Sequence, residues 1–133
     1  MAALDTNLLV RFVVQDDAAQ LASAKRLLRR AIANGQKLFV PVSVALELEW
    51  VLRSNFAFDK AEVIAALSAL IAAEGLTFES ETALEFALVS YMEGVADYAD
   101  CVHVALALQA GEAPLWTFDR KASKVPGAQL LPG

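Results

Sequence analysis

Lys37-Leu38-Phe39-Val40-Pro41-Val42-Ser43-Val44-Ala45-Leu46-Glu47-Leu48-Glu49-Trp50-Val51-Leu52-Arg53 changes its period part-way through. Lys37 to Val40 is a short apolar run and predicts a strand. Pro41 with Ser43 then opens a helix through Arg53, because Leu46, Trp50 and Val51 recur at helical spacing. Glu47 borders that apolar stripe. A strand that hands over to a helix within one residue is the mark of an α/β chain, and the alternation extends in both directions from this segment.

Upstream, Ala2 to Leu4 predicts a very short first strand, and Asp5-Thr6-Asn7 a turn before the apolar helix Leu8 to Val14, with Thr6 as its cap. Asp16 and Asp17 open an amphipathic helix to about Ala33, closed by Asn34-Gly35. Downstream, Asp59 caps an Ala-rich helix to Ala73, Gly75 ends it, and Leu76 to Phe78 follow as a strand. Helices are expected over Thr82 to Tyr91 and Tyr98 to Ala110, with Gly111 and Pro114 bracketing a turn. Leu115 to Phe118 reads as a strand ending at Asp119, and Gln129 to Leu131 as a last edge strand. The pattern is that of a parallel sheet wrapped by crossover helices.

Composition narrows the function. The 133 residues fit one domain, 1–133, with a single core. A hydrophobic fraction of 57% exceeds the globular share, so a monomer is expected to expose apolar surface that a second copy or a partner covers. Val63 to Ala73, the longest apolar run, is far shorter than the roughly 20 residues of a membrane span. Met1-Ala2-Ala3-Leu4-Asp5 has no basic region ahead of an apolar one, so a secretory leader is not expected and the cytoplasm is the default location. Cys101, the single cysteine, lies among Val102, Val104 and Ala105 and reads as a packed thiol. A net charge of −5 has the wrong sign for holding nucleic acid by bulk electrostatics, so any such contact must be local or metal-mediated.

The candidate chemistry lies in acids at strand ends and on helix borders. Asp5 follows the first strand and Asp119 a later one, and ligand sites in parallel sheets are built at the carboxyl ends of strands. On the helix from Tyr98, the residues Asp97, Cys101, Val104 and Leu108 share a stripe that Asp100 borders. Each acid also has a plainer reading. Asp97 with Asp100 has the form of a capping box, Asp5 of a turn cap, and Asp119 of the start of a last short helix. Glu49, one turn from Arg53, reads as a solvated ion-pair partner, and Glu81, Glu85 and Glu93 as an exposed acidic face. Half-buried carboxylates that repel one another are costly, and a divalent cation resolves the conflict. Oxygen donors without a Cys/His set point to Mg²⁺ or Mn²⁺, ions that activate water and stabilise a leaving oxygen at phosphorus.

Four segments together resemble the PIN domain: Asp5-Thr6-Asn7, Glu47 in Val44-Ala45-Leu46-Glu47-Leu48-Glu49-Trp50-Val51-Leu52, Asp97-Tyr98-Ala99-Asp100, and Thr117-Phe118-Asp119. Their order and near full-length coverage are most similar to the VapC-type toxin ribonucleases of bacterial toxin–antitoxin pairs. The resemblance implies a three-layer α/β/α fold with a short parallel sheet, and a Mg²⁺-dependent endoribonuclease. Asp5, Glu47, Asp100 and Asp119 match the family's acidic quartet as catalytic and metal-binding residues. Asp97 matches a position that is less uniformly acidic, while Thr6, Asn7 and Thr117 match polar positions that orient carboxylates. Where the family often carries threonine before the glutamate, this chain has Val44, and Ser43 is the neighbouring hydroxyl. The resemblance further implies an RNA substrate, a cognate antitoxin whose tail lies along a groove and obstructs the site, and a homodimer.

Arg120, Lys121 and Lys124 directly follow Asp119 and are candidates for phosphate contacts, with a solvated basic turn as the plainer reading. Lys25, Arg26, Arg29 and Arg30 form a second basic stripe that could face RNA, an acidic partner segment or solvent. His103, the single histidine, argues against a ribonuclease working through paired histidines and reads as structural or solvated. Three alternatives remain: a PIN-like RNA-processing nuclease outside a toxin system, a catalytically silent module that docks a partner, and a phospho-acceptor receiver domain. The last fits poorly, because Asp5 stands alone after the first strand and Val40-Pro41-Val42 offers no acid.

Overall fold

The computed structural model describes residues 2–133, which divide into two compact units at residues 79 and 80. The first unit carries four helices and a short parallel sheet. These are α1 (Thr6–Val14), α2 (Ala18–Ala33), β1 (Leu38–Val40), α3 (Val42–Asn55), α4 (Lys60–Ile71) and β2 (Leu76–Phe78). β1 and β2 pair in parallel with Leu38 opposite Leu76 and Val40 opposite Phe78, so α3 and α4 form the crossover. The expected first strand shrinks to a single bridge between Ala3 and Phe39, held by Leu4 N donating to Phe39 O at 2.9 Å and Phe39 N donating to Ala2 O at 2.8 Å.

Local chemistry sets most boundaries. Asp17 caps α2 by accepting from Gln20 N, and Asp59 with Glu62 forms a reciprocal capping box at α4. Gly75 turns the chain at φ +87°, and a methyl group there would come within 2.7 Å of Leu28 Cδ1, so α2 packs directly on the turn into β2. The cap of α1 differs from expectation. Asp5, rather than Thr6, is the N-cap: it keeps the extended backbone of a cap and its Oδ1 accepts from Leu8 N at 3.0 Å, while Thr6 is already the first helical residue.

The buried face of α3 also differs. Ala45, Leu48, Glu49 and Leu52 are buried, whereas Leu46 and Val51 are half-buried and Trp50 is 54% exposed. Apolar residues encircle this helix, so spacing alone does not select a face. Glu49 is correspondingly a correction: it is 3% exposed rather than solvated, and it is held there by the expected ion pair with Arg53.

The second unit holds α5 (Glu81–Glu93), α6 (Tyr98–Gln109), β3 (Leu115–Thr117), a 3-10 turn (Ala122–Lys124) and β4 (Ala128–Leu130). Leu84, Ala87, Leu88 and Tyr91 of α5 and Tyr98, Cys101, Val102 and Ala105 of α6 supply its buried side chains. The rings of Tyr91 and Tyr98 meet at 5.5 Å between centroids. Cys101 is a buried thiol, as expected. Of the stripe anticipated on α6, Cys101 and Val104 are buried, while Asp97 is exposed and Leu108 is 39% exposed. β3 and β4 run parallel, with Trp116 opposite Gln129. Gly127, at φ +104°, lets that pair lie close to α6, since a methyl group there would meet Val104 Cγ1 at 3.0 Å. The mixed α/β class with short parallel sheets is the one the sequence predicts. Among the described residues no helix is long and apolar enough to cross a membrane.

Candidate active site

Two acids of the expected quartet lie in the first unit, and a hydroxyl joins their segments. Thr6 is 5% exposed and its Oγ1 donates to Glu47 Oε1, spanning 41 positions of sequence. Because Thr6 is the first residue of α1 and Asp5 its cap, the bond sets the Asp5 turn beside the exposed Glu47 of α3. A buried hydroxyl that donates to a carboxylate both satisfies itself and fixes the rotamer of its partner. Asn7 is exposed one residue on. Asp5, Asn7 and Leu8 also line an open groove of about 500 Å³ between α1 and α2, together with Arg11, Gln20, Ser23 and Leu27. Arg11 pairs with Asp16 on that side.

The other two acids lie in the second unit. Asp97 begins α6 with extended backbone and makes no side-chain capping bond, so the capping-box reading of Asp97 and Asp100 fails. Asp100 sits in the first turn of α6, half-buried. Its carboxyl is raised above the ordinary aspartate value, first by burial and then by the negative charges of Asp119 and Asp97, against an opposing pull from His103. His103 is exposed, yet its field reaches Asp100; its position on the helix, three residues on, is the signal for that proximity.

Asp119 is fixed from both sides. Its backbone N donates to Thr117 Oγ1 at 3.0 Å, and its Oδ1 accepts from Lys121 N at 2.8 Å and Ala122 N at 3.0 Å. It therefore starts the 3-10 turn, as its plainer reading anticipated, and the same bonds aim its carboxylate. Arg120, Lys121 and Lys124 follow it, all exposed. One acid escaped notice in the sequence. Glu79, directly after β2, accepts from Val42 N at 2.8 Å and so caps α3, a role Pro41 cannot fill. An acid at the end of a strand was the available signal.

The donors in both units are carboxylate and hydroxyl oxygens, which suit a hard cation rather than zinc. Among the described residues no three His, Cys, Asp or Glu side chains are grouped to hold a metal ion. Each unit contributes a separate part: the Asp5 turn tied to Glu47 through Thr6 in the first, and Asp100, raised by burial and by the charges of Asp119 and Asp97, in the second.

The PIN domain matches residues 2–128. The chain belongs to the PIN domain family. Among curated proteins it is similar to a VapC ribonuclease of Aquifex aeolicus (strain VF5), at 22% identity over 125 residues, covering 94% of this chain and 92% of the relative. The match takes in all four segments quoted from the sequence, so every acid discussed above lies within the PIN domain.

Proposed function

We propose that this PIN domain is a Mg²⁺-dependent endoribonuclease and the toxin of a toxin–antitoxin pair. In this reading Asp5, Glu47, Asp100 and Asp119 are the catalytic and metal-binding residues, and residues 1–133 work as a single functional domain. The observation that carries it is the pairing within each unit, Asp5 with Glu47 through Thr6 and Asp100 with Asp119 through their charges. Burial and the neighbouring charges make ionised Asp100 unfavourable, and a bound cation offsets that cost, which fits a divalent ion with oxygen ligands. When bound, the ion activates water and stabilises the leaving oxygen at phosphorus; Mn²⁺ satisfies the same donors.

The chain's own residues do the rest. Thr6 holds Glu47 in one rotamer, the Thr117 hydroxyl and the amides of Lys121 and Ala122 hold Asp119, and Asp97 stands on the rim of Asp100. Asn7, exposed beside the Asp5 cap, orients water in this reading. Arg120, Lys121 and Lys124 neutralise the RNA phosphates, a local basic contact on a chain of net charge −5. Water oxygen bonds to phosphorus and the 3′ oxygen leaves, giving 5′-phosphate and 3′-hydroxyl ends without a covalent enzyme intermediate.

The VapC relative supports the toxin assignment, and a cognate antitoxin follows from it. The α1–α2 groove, which reaches Asp5 and Asn7, is suited to an antitoxin tail that obstructs the site. Exposed Phe86, Val89, Met92 and Val95 on and after α5 supply apolar surface for a homodimer. A cytoplasmic location accords with this role. The decisive experiment maps RNA ends produced by purified protein with Mg²⁺, with EDTA, and with Asp100→Asn. Cleavage under the first condition alone is expected; no cleavage under any of them leaves a partner-binding module.

A further inference from the structure

Phe118 is 70% exposed, more than any other large apolar side chain among the described residues. It is not on a loose loop. Thr117 O accepts from Leu131 N at 2.8 Å, Thr117 Oγ1 accepts from Asp119 N, and Asp119 is tied forward to Lys121, Ala122 and Ser123. The backbone on either side of the ring is therefore fixed, while the ring itself is left in solvent. Gly133 lies along one edge, where a methyl group would come within 3.0 Å of Phe118 Cε1. Trp116, two residues upstream, is 54% exposed.

We propose that Phe118 is a base-stacking residue that selects an unpaired nucleotide next to Asp119, an inference that rests on the ribonuclease reading above. The immediate surroundings identify the occupant. Phe118 is followed by Asp119 and by three exposed cations, Arg120, Lys121 and Lys124. A protein partner that buried this ring would also have to desolvate those charges. A nucleotide meets both demands, its base stacking on the phenyl face while its phosphate lies near the cations. In a duplex both faces of each base are covered by neighbours, so only an unstacked base reaches the ring. Phe118 positions that nucleotide rather than taking part in bond breaking.

The test uses the full chain carrying Asp100→Asn, so that RNA is bound without being cut, and a single-stranded oligoribonucleotide containing 2-aminopurine. Binding should quench the probe. Adding Phe118→Ala should abolish the quench and weaken binding on the order of 10-fold, the effect of losing one base stacked on one aromatic ring. Phe118→Tyr should retain both, and Phe118→Leu should behave like the alanine variant, which separates stacking from plain apolar contact. A duplex of the same sequence should bind all variants alike. An unchanged quench in Phe118→Ala, or leucine performing as well as tyrosine, overturns the proposal. Cleavage by the unsubstituted chain is measured alongside. Quench without cleavage upholds the stacking role and removes the nuclease reading, whereas cleavage without quench removes the stacking role alone.

Discussion

The two units hold their acids by different means. In the first, hydrogen-bond donors are supplied in advance: Leu8 N to Asp5 and the buried Thr6 hydroxyl to Glu47. In the second, Asp100 is partly desolvated and also faces the charges of Asp119 and Asp97, so its carboxyl is raised. One half is ordered by bonding. The other holds Asp119 by bonding as well but leaves Asp100 in electrostatic conflict until a proton or a cation arrives. Removing charge from the second half and removing the donor from the first should therefore have distinguishable consequences.

The largest effect is expected for Asp100→Asn. It preserves shape and deletes the charge, and Mg²⁺-dependent RNA cleavage should fall by more than the roughly 100-fold that bounds most supporting residues. The thermal transition should survive, because Asp100 is only half-buried. Retained activity in a gel-based cleavage assay would remove Asp100 from the site.

Thr6→Val comes next. The substitution keeps the branched shape but deletes the donor that fixes Glu47, so activity or Mg²⁺ affinity should drop by roughly 10- to 100-fold. Raising the Mg²⁺ concentration should restore part of the loss, since the carboxylate is misdirected rather than absent. The same titration should do little for Asp100→Asn, and equal rescue of both would erase the distinction between the two halves.

The sequence made the elements legible where local chemistry sets them. Strand β1 passing into α3 at Pro41, the Asp17 and Asp59 caps and the turn at Gly75 all depend on residues within one helical turn of each other. The acids could be named, because four short segments in order resemble one family. What spacing did not reveal was long-range. The Thr6 to Glu47 bond spans 41 positions. Glu79 capping α3 spans 37. The face of α3 was misjudged because apolar residues surround the helix, and the packing that selects Ala45, Leu48 and Leu52 comes from other elements.

Glu49→Gln sharpens the comparison by touching a carboxylate outside both acid pairs. Glu49 is 3% exposed and paired with Arg53, whose side chain is 40% exposed and can be solvated once its partner is neutral. Loss of one member of a fully buried pair costs about 3–5 kcal/mol, so here roughly 1–2 kcal/mol is expected, read as a lower urea midpoint at unchanged m. Cleavage rate per folded molecule should hold. A rate loss as deep as that of Asp100→Asn would mean that Glu49, not Glu47, is the glutamate of the site.

The smallest effect concerns pH. A carboxyl raised in the folded state binds its proton more tightly there than in the unfolded chain, so its contribution to stability is complete below the unfolded value and fades as pH rises through the folded one. At neutral pH, without metal, ionised Asp100 therefore opposes folding. Asn cannot ionise. In EDTA at pH 7 the Asp100→Asn variant should melt higher than the parent, by on the order of a few °C, and the gap should close as pH falls below the carboxylate range. Mg²⁺ should raise the parent's transition more than the variant's, because the parent alone carries the Asp100 charge beside Asp119 and Asp97. If the gap persisted in acid, packing rather than charge would be its cause, and the two halves would not differ in the way their hydrogen bonds and charges indicate.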